Sequence, residues 1–358
     1  MSPKKCLFSL AAVAILLLLP GCQTATPAAP EEPAATQPST GEQTPWQVAL
    51  ENTYEEINAA GFVRPTESYR IGALLITLAN PYWVTVQEGW MAAAEDLGIE
   101  VVIQTAPTEE DVIGQLETCE SMVAAGFDAI VVNTITEHNL VECVIKGSKE
   151  GIAMVDPDGR IDIPAVEAGG GTLFQGSTLD YYQQGQMGGQ YIVDQLGSEG
   201  GKVAIIEGLP GAPQSEDRKN GAKDVFEAAA GVELVTIQAG DWDRTKALDA
   251  TTNILQANPD LRGIYAANDV MALAAAEAVA AAGKQGQVLI VGTDLIEEAK
   301  EAIRDGRLAG SVAFSPYMEG IISAHFALLA LQDKPIDKVH IVSVLVTIDN
   351  IDEMADWK

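Results

Sequence analysis

From Ile71 onward, short apolar runs alternate with longer stretches of mixed polarity. The runs read as strands: IGALLITLA, IEVVIQTA, DAIVVNT, IAMVDP, KVAIIEG, ELVTIQAG, GIYAAND, QVLIVGTD, GSVAFSP and VHIVSVLVT. Between most of them lie roughly 10–18 residues with apolar positions three and four apart, as in Val112, Leu116, Cys119 and Val123. That spacing predicts amphipathic helices. Near-continuous apolar strands alternating with helices predict an α/β chain whose parallel sheets are covered on both faces. Before the first strand, residues 46–64 read as one extra helix anchored by Trp46, Leu50 and Ile57.

The polar residues that follow the strands carry the functional signal. Thr77 and Asn80 follow the first, Thr134 the third and Asp158 the fourth. Later come Glu207, Asp241 with Trp242, Asn268 with Asp269, and Asp294. In open parallel sheets, ligands bind outside the carboxyl ends of the strands. Residues of these types are also favoured as helix N-caps, and Asn80 or Asp294 taken singly reads as a cap. Their number, with aromatic residues among them, points to a small polar ligand.

The N-terminus differs in kind. Lys4 and Lys5 precede an apolar run from Leu7 to Leu19, followed by Leu19-Pro20-Gly21-Cys22. A charged start, a short apolar core and a small residue before the cut predict an export signal. The run is shorter than the roughly 20 residues that span a bilayer. Its end resembles a bacterial lipoprotein box, with residues 1–21 as signal and Cys22 as the lipid-bearing first residue. Residues 22–45 are rich in proline and hold no large apolar side chain, so they predict an extended tether.

Composition removes several functions. The 358 residues suit two domains, and 47% hydrophobic content supports a large core. With 21 Lys and Arg against 51 Asp and Glu, the net charge of −30 excludes nucleic acid as a partner. Loss of the signal, with its two lysines, brings the mature chain to −32. There is no glycine-rich phosphate loop and no nucleophile elbow, so neither a cofactor nor an enzyme is predicted. No metal is predicted either: His138, His325 and His340 lack partners at helical spacing, with His138 and His325 reading as helix residues. DPDGRID at 156–162 is only faintly like a calcium loop, since Pro157 intrudes and the closing Glu is missing. Outside the cytoplasm, Cys119 and Cys143 form either a disulfide or two buried thiols.

Five stretches carry a family resemblance: TLANPYWVTVQEGW (77–90), DRKNGAKDVF (217–226), AGDWDRTKALD (239–249), YAANDVMALAAAEAV (265–279) and VLIVGTDLIEEA (288–299). On these the chain, from about Tyr69 to Ile348, resembles type I periplasmic sugar-binding proteins, nearest the ribose and D-allose branch. The resemblance implies two doubly wound parallel-sheet lobes joined by a three-crossing hinge. It divides the chain into a helical extension at 46–68, an N-terminal lobe at 69–180 and 315–343, and a C-terminal lobe at 181–314 and 344–358. It puts Asn80, Tyr82 and Trp83 on the sugar, with Thr77 nearby and Asp158 from the fourth-strand loop. From the second lobe it adds Arg218, Trp242, Asn268 and Asp294. Trp83 and Trp242 would cover the two faces of a pyranose while charged and amide groups take its hydroxyls.

Two positions depart from that pattern. Gly159 stands where ribose binders carry Arg and allose binders Glu. Phe314 stands where the family has a hydroxyl-binding Gln. Both are expected in the ligand site, where they remove polar contacts, so exchanging them for Arg and Gln should move preference toward ribose. The function implied is an exported, lipid-anchored, monomeric binding protein. It would take a small sugar or polyol in an interlobe cleft and deliver it to an ABC permease with its cytoplasmic ATPase. The alternatives are a sensor that presents ligand to a membrane receptor and a sugar-modifying enzyme. In a sheet of order 2-1-3-4-5, the helices bearing Cys119 and Cys143 lie side by side, within reach of a bridge.

Overall fold

The apolar runs become the strands of two sheets, parallel except for one antiparallel edge strand, each flanked by helices on both faces. The computed structural model describes residues 43–176, 178–334 and 339–358. The stretch expected to be an export signal, Cys22 and most of the expected tether lie outside them.

The first half contains α1 (Pro45–Ala59), β1 (Arg70–Leu75), α2 (Pro81–Leu97), β2 (Glu100–Thr105) and α3 (Val112–Ala124). It continues with β3 (Ala129–Val132), α4 (Val141–Lys149), β4 (Ala153–Asp156), α5 (Ile163–Ala168) and β5 (Phe174–Gln175). The second half runs α6 (Tyr181–Leu196), β6 (Gly201–Glu207), α7 (Pro213–Ala228), β7 (Val232–Ala239), α8 (Arg244–Ala257) and β8 (Leu261–Ala266). Then come α9 (Asp269–Ala281), β9 (Leu289–Asp294), α10 (Glu297–Arg304), β10 (Gly310–Ala313), α11 (Pro316–Leu331) and β11 (Val344–Val346).

The N-terminal sheet has the order β2-β1-β3-β4-β5 and the C-terminal sheet β11-β10-β9-β8-β6-β7. Burial on both faces explains their composition. In β3, Ile130 and Val132 face a cluster with Cys119, Val123 and Val144, while Ala129 and Val131 join the core on the other face. The chain crosses between the lobes after β5, between β10 and α11, and between α11 and β11. A backbone bond from Ile341 N to Thr178 O at 2.9 Å ties two of these crossings together.

The helices begin where small polar side chains cap them. Asn80, Asp111, Asp180, Asp243, Asn268 and Ser315 each accept a backbone N–H of the following turn. Several details differ from the sequence reading. Helix α1 already starts at Pro45 with Thr44 as its cap and stops at Ala59, because Gly61 leaves the helix with φ +81°. The run VHIVSVLVT contributes only Val344–Val346, antiparallel to β10, and the two-residue β5 escaped the pattern because it is too short to show a period. His138 lies in the loop before α4, not in a helix. The sulfurs of Cys119 in α3 and Cys143 in α4 are bonded, with 6.2 Å between the Cα atoms.

Candidate ligand site between the lobes

The ends of β1, β6, β8 and β9 converge on a narrow cavity between the two sheets. Asn80, Tyr82, Trp83, Glu109, Arg160, Tyr181, Gln214, Arg218, Trp242, Asn268 and Asp294 line it. Seven of these are among the residues expected from the sequence, and they come from both lobes.

Asn80 and Asn268 combine two tasks. Each caps its helix through the side-chain oxygen, Asn80 to Tyr82 N and Asn268 to Met271 N, both at 3.0 Å. That bond fixes the rotamer, so the amide nitrogen faces the cavity edge; in Asn80 it donates to Glu109 at 2.9 Å. Asp294 caps nothing. It sits at the end of β9 with φ +119°, its carboxylate 3.6 Å from Arg218. Burial pushes its pKa well above the usual carboxylate range; Arg218 pulls it back, while Asp269 and Glu109 add to the push.

Trp242 owes its position to the turn around it. Asp241 and Trp242 have φ of +51° and +62°, a left-handed pair that costs ~1–2 kcal/mol per residue for L side chains. The indole lies flat on Gly208, where a Cβ would come within 2.1 Å of the ring. Asp243 caps α8, and Asp241 pairs with Lys246 at 2.9 Å, so the two acids beside the tryptophan serve the turn. Trp83 faces it from the other lobe, edge-on to Tyr82 with 4.9 Å between ring centroids.

Two arginines approach from opposite lobes, and Tyr181 lies between them, 5.2 Å from the Arg160 guanidinium and 5.4 Å from that of Arg218. Arg218 is held by Gln184 and the Ala267 carbonyl, both at 2.9 Å. Arg160 pairs with Asp158 at 3.0 Å and donates to the Tyr181 hydroxyl. Its Nε and Nη1 are buried without a partner among the described residues, as is Oε1 of Gln214. The buried Arg160 donors call for an acceptor from the ligand, and the Gln214 oxygen for a donor.

Four expected ligand residues stand outside the lining. The Asp158 carboxylate is spent on Arg160, Asn133 at 2.9 Å and Thr178 at 3.1 Å, so it acts through Arg160. Thr77 stabilises its own loop through the Pro107 carbonyl and Ala79 N. Gly159 does not remove a polar arm. Its φ of +70° turns the chain so that Arg160, one residue later, enters the cavity. Phe314 packs behind the site, 5.6 Å from the Tyr82 ring and 5.2 Å from the Arg218 guanidinium. Other polar residues at strand ends are likewise engaged elsewhere: Glu207 with Lys219, Asp269 with Ser311 and Ile296 N, and Thr134 with Asn139. Asp156 accepts from the backbone N–H groups of Asp158, Arg160 and Ile161 and so holds the DPDGRID turn together.

The sequence reading missed Glu109, Arg160, Tyr181, Gln214 and the supporting Glu319. Glu319 had a signal, being an acid in the otherwise apolar PYMEGIISAHF. It is fully buried in α11, accepts from Tyr82 OH and from Asn133 at 3.1 Å, and burial next to Asp158 pushes its pKa up to about 8. Burial also raises Glu109, against hydrogen bonds from Asn80 and Trp83.

Comparison with known proteins agrees with this architecture. Residues 71–335 match the family described as periplasmic binding protein domain. The D-allose-binding periplasmic protein of Escherichia coli is 42% identical over 68% of this chain and 78% of its own length. The ribose import binding protein RbsB of Bacillus subtilis is 32% identical, covering 76% of this chain and 85% of its own. An ABC transporter periplasmic solute binding protein from Actinobacillus succinogenes, solved with bound D-allose, superimposes with TM-score 0.74 at 31% identity, covering 79% of this chain and 99% of that one.

Proposed function

The chain belongs to the periplasmic binding protein family, and from that premise we propose that it captures a monosaccharide in the interlobe cavity for delivery to an ABC permease. The observation that carries this reading is the cavity itself. Indole rings from opposite lobes, Trp83 and Trp242, share it with two arginines and three carboxamides. An aldopyranose offers apolar C–H faces to the rings and hydroxyls to the amides and guanidinium groups. D-allose and ribose, the sugars named for its relatives, are the first candidates.

Contacts come from both lobes, so ligand binds the closed form better than the open one and shifts the population toward closure. The protein binds and releases its sugar without turnover. Asn80, Tyr82, Trp83, Arg160, Arg218, Trp242, Asn268 and Asp294 are the proposed contacts, with Asp158 orienting Arg160. Cys22 is the proposed lipid site, placing the body at the outer face of the cytoplasmic membrane as a monomer. A thermal-shift panel of aldoses and polyols tests the reading. A ligand at 100 times its Kd adds ~2.7 kcal/mol, a clear rise in Tm. No shift with any aldose would remove the proposal, and chemical change of the bound sugar would make the protein an enzyme. Mass analysis of the N-terminal peptide from membranes tests Cys22.

A further inference from the structure

Lys246 sits in the first turn of α8, at the lip of the cleft and outside the inner cavity. Its ammonium donates to Asp241 Oδ2 at 2.9 Å in its own lobe and to Glu110 Oε1 in the N-terminal lobe. Among the described residues, this is the one ion pair that joins the lobes across the cleft. Arg244, the neighbouring cation, is committed to Glu277 and Glu298 within the C-terminal lobe. Each partner of Lys246 adjoins a residue of the cavity wall: Asp241 precedes Trp242, and Glu110 follows Glu109.

We propose that Lys246 is a positioning residue that latches the closed state, holding the Trp242 turn and tying it to the opposite lobe. The proposal rests on the reading of the cleft as a ligand site. Opening the cleft breaks the Lys246–Glu110 pair, whereas capture in the open state does not involve it. The latch therefore acts on release and leaves the rate of capture unchanged. Lys246 and Glu110 are each nearly half exposed, so the effect is modest and weakened by salt.

Glu110→Gln separates the latch from the local role, because it leaves the Asp241–Lys246 pair in place. Stopped-flow release of D-allose in 20 mM salt is expected to be roughly two- to fivefold faster in Glu110→Gln, with association unchanged. In 0.5 M salt the two proteins should release alike. Lys246→Arg should behave as wild type. Equal release rates at low salt, or an effect that persists undiminished in high salt, would overturn the latch. If D-allose does not bind the wild-type protein, the choice of sugar is at fault, and the same pair of release measurements at low and high salt, made with the aldose or polyol that raises Tm most, decides the latch.

Discussion

Replacing Arg160 by Met should damage binding and stability for different reasons, and the two can be separated. Two guanidinium nitrogens, Nε and Nη1, are buried without a partner among the described residues and can donate to a ligand. A hydrogen bond to a charged donor contributes ~1.5–3 kcal/mol, so loss of one weakens binding roughly 10- to 150-fold. The same substitution leaves the Asp158 carboxylate buried with only Asn133 and Thr178 as partners. Stranding one member of a buried pair costs ~3–5 kcal/mol, and the two remaining donors should hold the loss near the lower figure. Converting Asp158 to Asn in the same chain removes the stranded charge. The double variant Asp158→Asn/Arg160→Met should regain most of the stability, measured by urea unfolding, yet still bind D-allose poorly by titration calorimetry. If Arg160→Met binds as wild type, or if the double variant recovers affinity along with stability, Arg160 is a structural residue and its placement in the site is wrong.

Trp242→Ala should weaken D-allose binding at least ~10-fold through the lost stacking face, while unfolding stays cooperative; a broad, non-cooperative transition would make Trp242 a core residue instead. Gly159→Arg with Phe314→Gln should lower Tm without changing the order of ribose and allose affinities. The first forces a side chain into φ +70° with its Cβ 3.0 Å from the Gly176 carbonyl, and the second buries an amide behind the site. A swing toward ribose in a sugar panel would return both residues to the ligand shell. Glu319, about 4.5 when unfolded and about 8 when folded, keeps its proton in the folded state over that range. Its contribution therefore falls as pH rises from 4.5 to 8, by up to ~1.4 kcal/mol per unit, and Glu319→Gln should remove this decline in urea titrations at pH 5, 7 and 9. Peptide mapping of exported protein, alkylated without reduction, should recover Cys119 joined to Cys143. A bridge with this 24-residue separation contributes roughly 3 kcal/mol, and two alkylated cysteines would contradict it.

The order of apolar runs by itself determined an α/β chain with parallel sheets, because a strand buried on both faces and a helix with one apolar stripe leave different periods in a chain; its division into two lobes came with the family resemblance. The same order also located the ends of strands where Asn80, Trp242, Asn268 and Asp294 meet, since ligand chemistry in such sheets gathers at those ends. Which of the polar residues there face the ligand was not written locally. Asp158, Asp269 and Glu207 are the same kinds of residue at equivalent places, yet their carboxylates are consumed by Arg160, Ser311 and Lys219. A one-residue turn decided the rest. With Gly159 in the left-handed region, Arg160 reaches the cavity that its alignment with the family pattern had denied it. Arg160 and Lys246 each have one partner close by in the chain, Asp158 and Asp241. The Tyr181 hydroxyl on Arg160, the Asp294 carboxylate beside Arg218 and the Glu110 carboxylate on Lys246 lie in other loops or the opposite lobe. Only packing brings those segments together, so the tertiary structure alone decided which charges are paired and which remain for a ligand.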